Sequence, residues 1–209
     1  MKRNGFFFVL IFLFAGSLKG QDMLVLMNGQ TMEGKVINVT PLIINYTVKK
    51  KNKTQIKEID AERVFSILYG DGHTQILYTQ DSIMGYDYSV SEMQYFIMGE
   101  QDAIKYFKAP GATIAGFALA AAGGFFLAES FLVLMVPFVS SSIHTIPGVR
   151  INSRKIPNPG NLEQETYIRG YKRIAKSKRI QNAIKGSLLG VLAGVATFKI
   201  LDNNQFFED

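Results

Sequence analysis

Few residues in this chain are placed to do chemistry. There is no cysteine, so disulfides, thiolate metal sites and cysteine nucleophiles are excluded. The two histidines, His73 and His144, lie far apart, with no metal-ligand spacing around either. No G-x-S-x-G elbow, phosphate loop, dinucleotide fingerprint or H-E-x-x-H pair occurs. The acidic residues are scattered, and spacing marks no pair of them as general acid and base. The expectation is a protein that is not an enzyme, takes no cofactor and no metal, and has no evident small-molecule substrate.

Charge is the next chemical resource. Glu129 is the one charged residue in the apolar stretch 111–139, and Lys199 is the one in the apolar stretch 186–201. An ionisable residue inside a membrane span is a functional candidate by default. A helix break at the membrane interface is the plainer reading of Glu129 and is preferred. The segment "YIRGYKRIAKSKRIQNAIK", residues 167–185, carries Arg169, Lys172, Arg173, Lys176, Lys178, Arg179 and Lys185 with no acid. Next to a span, such residues attract anionic lipid, each contributing about 1 kcal/mol close to the surface. No base-reading motif accompanies the charge, so nucleic acid is not expected as a partner.

Glycine spacing gives the strongest pattern. "GSLLGVLAG" puts Gly186, Gly190 and Gly194 four apart, and residues 111–139 put Ala112, Gly116, Ala120 and Gly124 four apart. Each glycine weakens a helix by about 1 kcal/mol relative to alanine. Aligned on one face, they let a second backbone approach closely, which is how helices associate in lipid. The two stripes are expected to pack against each other, or against another copy. A run of 29 residues would measure roughly 43 Å as one helix, against a hydrocarbon core of about 30 Å. It must therefore tilt, or break near Glu129-Ser130.

These stripes need elements to position them. Lys2 and Arg3, the apolar run 6–15 and small residues up to Gly20 have the layout of a cleaved secretory signal over 1–20. Its loss lowers the formal charge from +6 to +3, so the basic balance does not itself argue for nucleic-acid binding. Residues 22–88 alternate with a period of two between tight turns at Asn28-Gly29 and Asp71-Gly72. Six short strands are expected there, as a small barrel-like domain or a strongly curled sheet closed to avoid exposed edges. Ser89 with Glu92 forms a capping box that opens an amphipathic connecting helix over 89–109, with Met93, Phe96, Ile97, Ile104 and Phe107 as its apolar stripe. A first transmembrane segment over 111–139, a basic loop and helix over 140–185, a second transmembrane segment over 186–201 and an acidic tail over 202–209 complete the chain. The fold class is α+β, with a two-helix membrane hairpin.

The stretch "VLMNGQTMEGKVINVTPLIINYTV" resembles the opening of small SH3-like and Sm-like barrels, with Gly34 at a bend in the second strand. The whole layout resembles an uncharacterised family of bacterial envelope proteins. Its recurring wording is "L-x-N-G-x-x-x-x-G-K-V", here 26–36, "GEQDA", here 99–103, and "Y-I-x-G-Y", here 167–171. That resemblance implies an architecture but no activity. Tyr95, Gly99 and Ala103 also loosely echo Tyr167, Gly170 and Ala175, which raises a possible internal repeat.

Topology follows from charge. Residues 140–185 hold ten Lys or Arg against Glu163 and Glu165 alone. The positive-inside rule puts that loop in the cytoplasm, with 22–108 and 202–209 outside. The signal layout puts the N-terminal domain outside independently. The expected function is that of a non-enzymatic protein of the bacterial cell envelope, in the cytoplasmic membrane. Its extracytoplasmic β domain would bind a protein partner, and its hairpin would anchor or self-associate. The alternative is a glycine-zipper oligomer that forms a pore or remodels the membrane.

Overall fold

The computed structural model describes residues 20–50, 53–83, 85–143 and 148–204. The signal layout, His144 and most of the acidic tail lie outside the described residues. The chain forms two compact units, Met1–Val90 and Ser91–Asp209.

The first unit is a six-stranded antiparallel sheet, ordered β4-β3-β2-β1-β5-β6. Its strands are β1 (Asp22–Leu26), β2 (Thr31–Val39), β3 (Ile43–Lys50), β4 (Lys53–Asp60), β5 (Val64–Leu68) and β6 (Thr74–Ile76). Gly29 and Gly72 adopt positive φ (74° and 92°), as the tight turns at Asn28-Gly29 and Asp71-Gly72 require. β2 is long because it serves two partners. Gly34 pairs with Asp22 of β1, and Lys35 pairs with Thr47 of β3. A side chain at Gly34 would meet the Thr47 carbonyl oxygen, so this switch point requires glycine. Leu24, Leu26, Ile44, Tyr46, Ile59, Val64 and Ile67 form the core.

The expected closure into a barrel does not occur. β4 and β6 lie at opposite ends of the strand order and do not pair. β6 has only three residues, too few to continue the ladder round to β4.

The second unit is helical: α1 (Val90–Tyr106), α2 (Pro110–Phe126), α3 (Val136–Ser142) and α4 (Glu165–Asn203). α1 and α2 meet at a 65° bend. The bend falls at Lys108-Ala109-Pro110, where proline disfavours a helical residue before it. α1 buries Met93, Phe96 and Ile97 together with Gly99, Glu100 and Ala103. Ile104, expected on the apolar stripe, is exposed. The basic segment and the second apolar stretch form a single helix of 39 residues, with no break at 185–186. At about 1.5 Å per residue, α4 is roughly 58 Å long, twice the hydrocarbon thickness.

Candidate functional site

The seam along α4 holds the residues singled out by spacing. Ala112, Gly116, Ala120 and Gly124 are the buried residues of α2, and Gly186, Gly190 and Gly194 are buried on α4. Each glycine lies against opposing backbone. A side chain on Gly186 would run into the Thr113 carbonyl, one on Gly190 into that of Phe117, and one on Gly194 into that of Ala121. The contacts are reciprocal: Gly116 faces the Ala183 carbonyl, and Gly124 faces Val191. Nearer the start of α4 the same exchange recurs. Gly99 faces the Tyr167 carbonyl and Gly170 faces that of Phe96. The "GEQDA" and "Y-I-x-G-Y" stretches are thus the two sides of one contact.

The direction of pairing corrects the expected hairpin. Along the seam, Phe96, Thr113, Phe117 and Ala121 meet Gly170, Gly186, Gly190 and Gly194 in the same order. α1 and α2 therefore run parallel to α4, not antiparallel. Of the two alternatives for residues 111–139, tilt or a break near Glu129-Ser130, the chain takes the break. α2 ends at Phe126, a turn follows through Ala128 and Ser130, and a 3-10 segment, Phe131–Met135, leads into α3. Gly123 lies against Val136, and Ser140 donates to the Ser187 hydroxyl at 2.6 Å. Ser187 in turn donates to the Gly116 carbonyl at 3.3 Å. The chain has come back alongside α2 to the level of Gly116. That return is what lets α4 descend parallel to α2.

Around the apolar half of the seam, the outward side chains are bulky and exposed. Ile114, Phe126, Leu134, Leu189, Leu192 and Ile200 are each 60–81% exposed. Glu129 lies in the turn at the far end of this region, in a cleft with Phe126, Phe131 and Phe198. Lys199 is exposed near the same end, next to Phe198 in sequence. No ion pair joins Glu129 and Lys199 among the described residues. The two charges occupy the rim of the apolar region rather than its middle.

The other half of the seam is polar. Glu100 is fully buried on α1 and pairs with Arg173 of α4, whose guanidinium lies 4.9 Å from the centre of the Phe96 ring. Burial pushes the Glu100 carboxyl up to about 7, although Arg173 pulls the other way. Tyr167 donates to Asp102 at 2.7 Å, and burial with that bond raises its hydroxyl well above the usual range. Ala103, Tyr167, Tyr171 and Ala175 pack with Ile156 of the connecting loop. Lys178 reaches across to the last carbonyls of α1, donating to Ala103 at 3.2 Å, to Ile104 and to Phe107 at 3.4 Å. A cation there suits the negative end of the helix. Desolvation lowers its ammonium pKa.

The basic set therefore divides. Arg173 and Lys178 hold α1 against α4, and Arg179 donates to the Gly148 carbonyl at 3.4 Å. Arg169 pairs with Glu165 at 2.6 Å on the exposed face, and Lys172 and Lys176 are exposed. The roles of Glu100, Asp102 and Tyr167 were not read from the sequence. A glutamate at a helix position flanked by buried Ile97 and Ala103 was the available signal. The same contacts overturn the expected opposite placement of 91–110 and 140–185. α1 and the basic half of α4 lie side by side, on one side of any layer that the apolar half crosses.

The β unit has an open cleft of about 510 Å³ lined by Asp22, Lys35, Lys49, Tyr69 and Asp71, among others. Its Asp22 carboxylate is occupied by the amides of Val36 and Gly70, each at 2.8 Å. His73 stacks on Tyr69. Among the described residues, no three acidic or histidine side chains gather where a metal ion could bind. Comparison with protein-family models, curated proteins and solved structures finds no match to this chain.

Proposed function

We propose that the protein is a non-enzymatic, membrane-anchored component of the bacterial cell envelope. Its helical unit is inserted in a bilayer by its apolar half, and its β unit recognises a protein partner. The observation that carries the reading is the contrast along one seam: tight backbone contacts throughout, with many strongly exposed Leu, Ile and Phe around one half, against the 39% exposure of Ile104 in the other. An exposed apolar surface of that extent is unsuited to water and suited to lipid. α2, at 17 residues, has a length of about 25 Å, near the lower limit for a span. α4 crosses in the same direction, and the segment 131–142 returns alongside both helices.

In this arrangement α1, residues 148–164 and the basic half of α4 share one side, and the end of α4 at Asn203 lies on the other. The signal layout and the positive-inside count then assign that shared side to different compartments. The signal is given precedence, so the shared side is taken as extracytoplasmic. Arg173, Lys178 and Arg179 have structural partners, and their number therefore reflects folding as well as topology. Lys185, next to the apolar half, is the basic residue placed to meet anionic headgroups. Arg169 lies roughly 24 Å further along the helix, beyond a Debye length of about 8 Å. The glycine-zipper pore loses support because both small-residue stripes are used within one chain.

Alkaline carbonate extraction of native membranes tests the anchoring. The protein should stay in the pellet, and release into the supernatant would contradict insertion. Cysteine-specific labelling at Lys172→Cys in intact cells tests the side. Labelling by an impermeant reagent is expected, and labelling only after lysis would place that half of α4 in the cytoplasm.

A further inference from the structure

Among the described residues the β unit has a long edge with no strand beside it, and the chemistry of that edge points to what covers it. β4 is the terminal strand of the sheet, eight residues long, and Lys53–Glu58 are all exposed. Ile56 on this edge is 69% exposed. The hydrogen-bonding phase of the edge can be read from its neighbour. Ala61 donates to the Leu42 carbonyl at 2.8 Å, in register with the β3–β4 pairing that puts Ile44 opposite Ile59. Odd-numbered residues of β4 therefore exchange backbone hydrogen bonds with β3. Thr54, Ile56, Glu58 and Asp60 turn their amides and carbonyls outward.

An incoming antiparallel strand must bond to those even-numbered residues. If it is β4 of a second copy, a two-fold axis restricts the pairing to a few registers, each joining even to even and odd to odd. One places Ile56 opposite Ile56, Thr54 opposite Glu58, Gln55 opposite Lys57 and Lys53 opposite Ile59. Here every charged residue faces an uncharged one, and a hydroxyl and an amide face the Glu58 carboxylate and the Lys57 ammonium. Axes at residues 57, 55, 58 and 59 set Lys57 against Lys57, Lys53 against Lys57, Glu58 against Glu58, and Glu58 against Asp60, while an axis at Thr54 overlaps only Lys53 to Gln55 of this strand. Like charges directly opposite each other are destabilising. We infer that β4 pairs antiparallel with β4 of a second copy about an axis at Ile56, which makes the sheet continuous across a dimer.

This deepens the proposed function by naming the β unit's partner as another copy of the chain. It does not depend on which compartment holds that unit. Lys53, Lys57 and Glu58 on this edge guard it against indiscriminate pairing, and Ile56 is its one large apolar side chain that is exposed. Like charges in four of the alternative registers, and the short overlap of the fifth, favour the one centred on Ile56.

The absence of native cysteine makes the test direct. Single variants Thr54→Cys, Ile56→Cys and Glu58→Cys of the full chain are oxidised both in membranes and in mild detergent. Opposed residues in a hydrogen-bonded pair have Cα atoms about 5.5 Å apart, within disulfide reach. Ile56→Cys should give several-fold more disulfide-linked dimer than either other variant alone. Thr54→Cys mixed with Glu58→Cys should cross-link as a heterodimer. Ile56→Lys, with a wild-type circular dichroism spectrum, should sediment as a monomer in detergent. Equal cross-linking at all three sites, no cross-link at Ile56→Cys, or a dimer that survives Ile56→Lys would overturn the inference. Carbonate extraction reports on membrane insertion separately, so failure of one proposal does not hide the other.

Discussion

The two halves of the helical seam use the same contact in different surroundings. Gly99 and Gly170 exchange close approaches with α4 and α1, as Gly124 and Gly194 do further along. Around the first pair, Arg173 forms an ion pair with Glu100, Tyr167 donates to Asp102, and Lys178 donates to the Ala103 carbonyl across the helices. Around the second pair, the side chains facing away from the seam are apolar and exposed. The backbone geometry alone does not reveal the solvent. The outward faces differ: charged Arg169, Lys172 and Lys176 are exposed along the first half, and Leu189, Leu192 and Ile200 along the second, which is the contrast that the proposed membrane anchoring rests on.

The largest expected effect breaks the apolar half. Gly190→Leu would drive a side chain into the Phe117 carbonyl, a rigid neighbour. Helix propensity alone predicts stabilisation by most of 1 kcal/mol. Packing predicts separation of α2 from α4 at a cost of about 3 kcal/mol or more. Protease resistance in detergent should fall sharply. Unchanged or greater resistance would mean that close approach is not what these glycines provide.

The polar half should respond to pH where the apolar half does not. Glu100 titrates near 7 when folded, above its ordinary 4.5. The folded state therefore binds the proton more tightly than the unfolded chain. Stability is highest below about 4.5 and declines as pH rises from there through about 7. Arg173→Ala should deepen that decline, costing about 2 kcal/mol at pH 8. This is less than for a fully buried pair because Arg173 is half exposed. Glu100→Gln should flatten it. Thermal unfolding in detergent from pH 4 to 8 measures both, and a slope that persists in Glu100→Gln would assign it to another group. A smaller effect is expected from Lys178→Met, which keeps the aliphatic stem but removes the cap on α1. Its cost should be about 1 kcal/mol, with increased amide exchange confined to the last turn of α1. Exchange spread across the unit would contradict a local role.

Much of the β unit was legible because its signals are local. Asn28-Gly29 and Asp71-Gly72 dictate turns, alternation dictates strands, and six strands result. Closure was not legible, because it depends on the length of β6 and the distance between the two edges. In the helical unit, four-residue spacing identified the buried stripes, since a missing side chain marks a close approach wherever it occurs. It could not give their relative direction. Two small-residue stripes pack parallel or antiparallel equally well, and the choice turns on the break near Glu129-Ser130, which the length of the apolar run suggested but whose reversal of direction it did not specify. The basic run misled in a similar way: a sequence shows that Arg173 and Lys178 are charged, but not that Glu100 and the end of α1 lie opposite them.

The central claim is that α2 and α4 run side by side in the same direction. Phe125 and Phe198 have ring centroids 5.7 Å apart, and Asn182 reaches the Ala109 carbonyl at 3.4 Å. Paired cysteines at 125 and 198, and at 109 and 182, should therefore both cross-link in native membranes. A pair at 109 and 198, near opposite ends of the seam, should not. An antiparallel hairpin reverses the pattern. Efficient cross-linking of 109 to 198, with none at 125 to 198 or 109 to 182, would contradict the account.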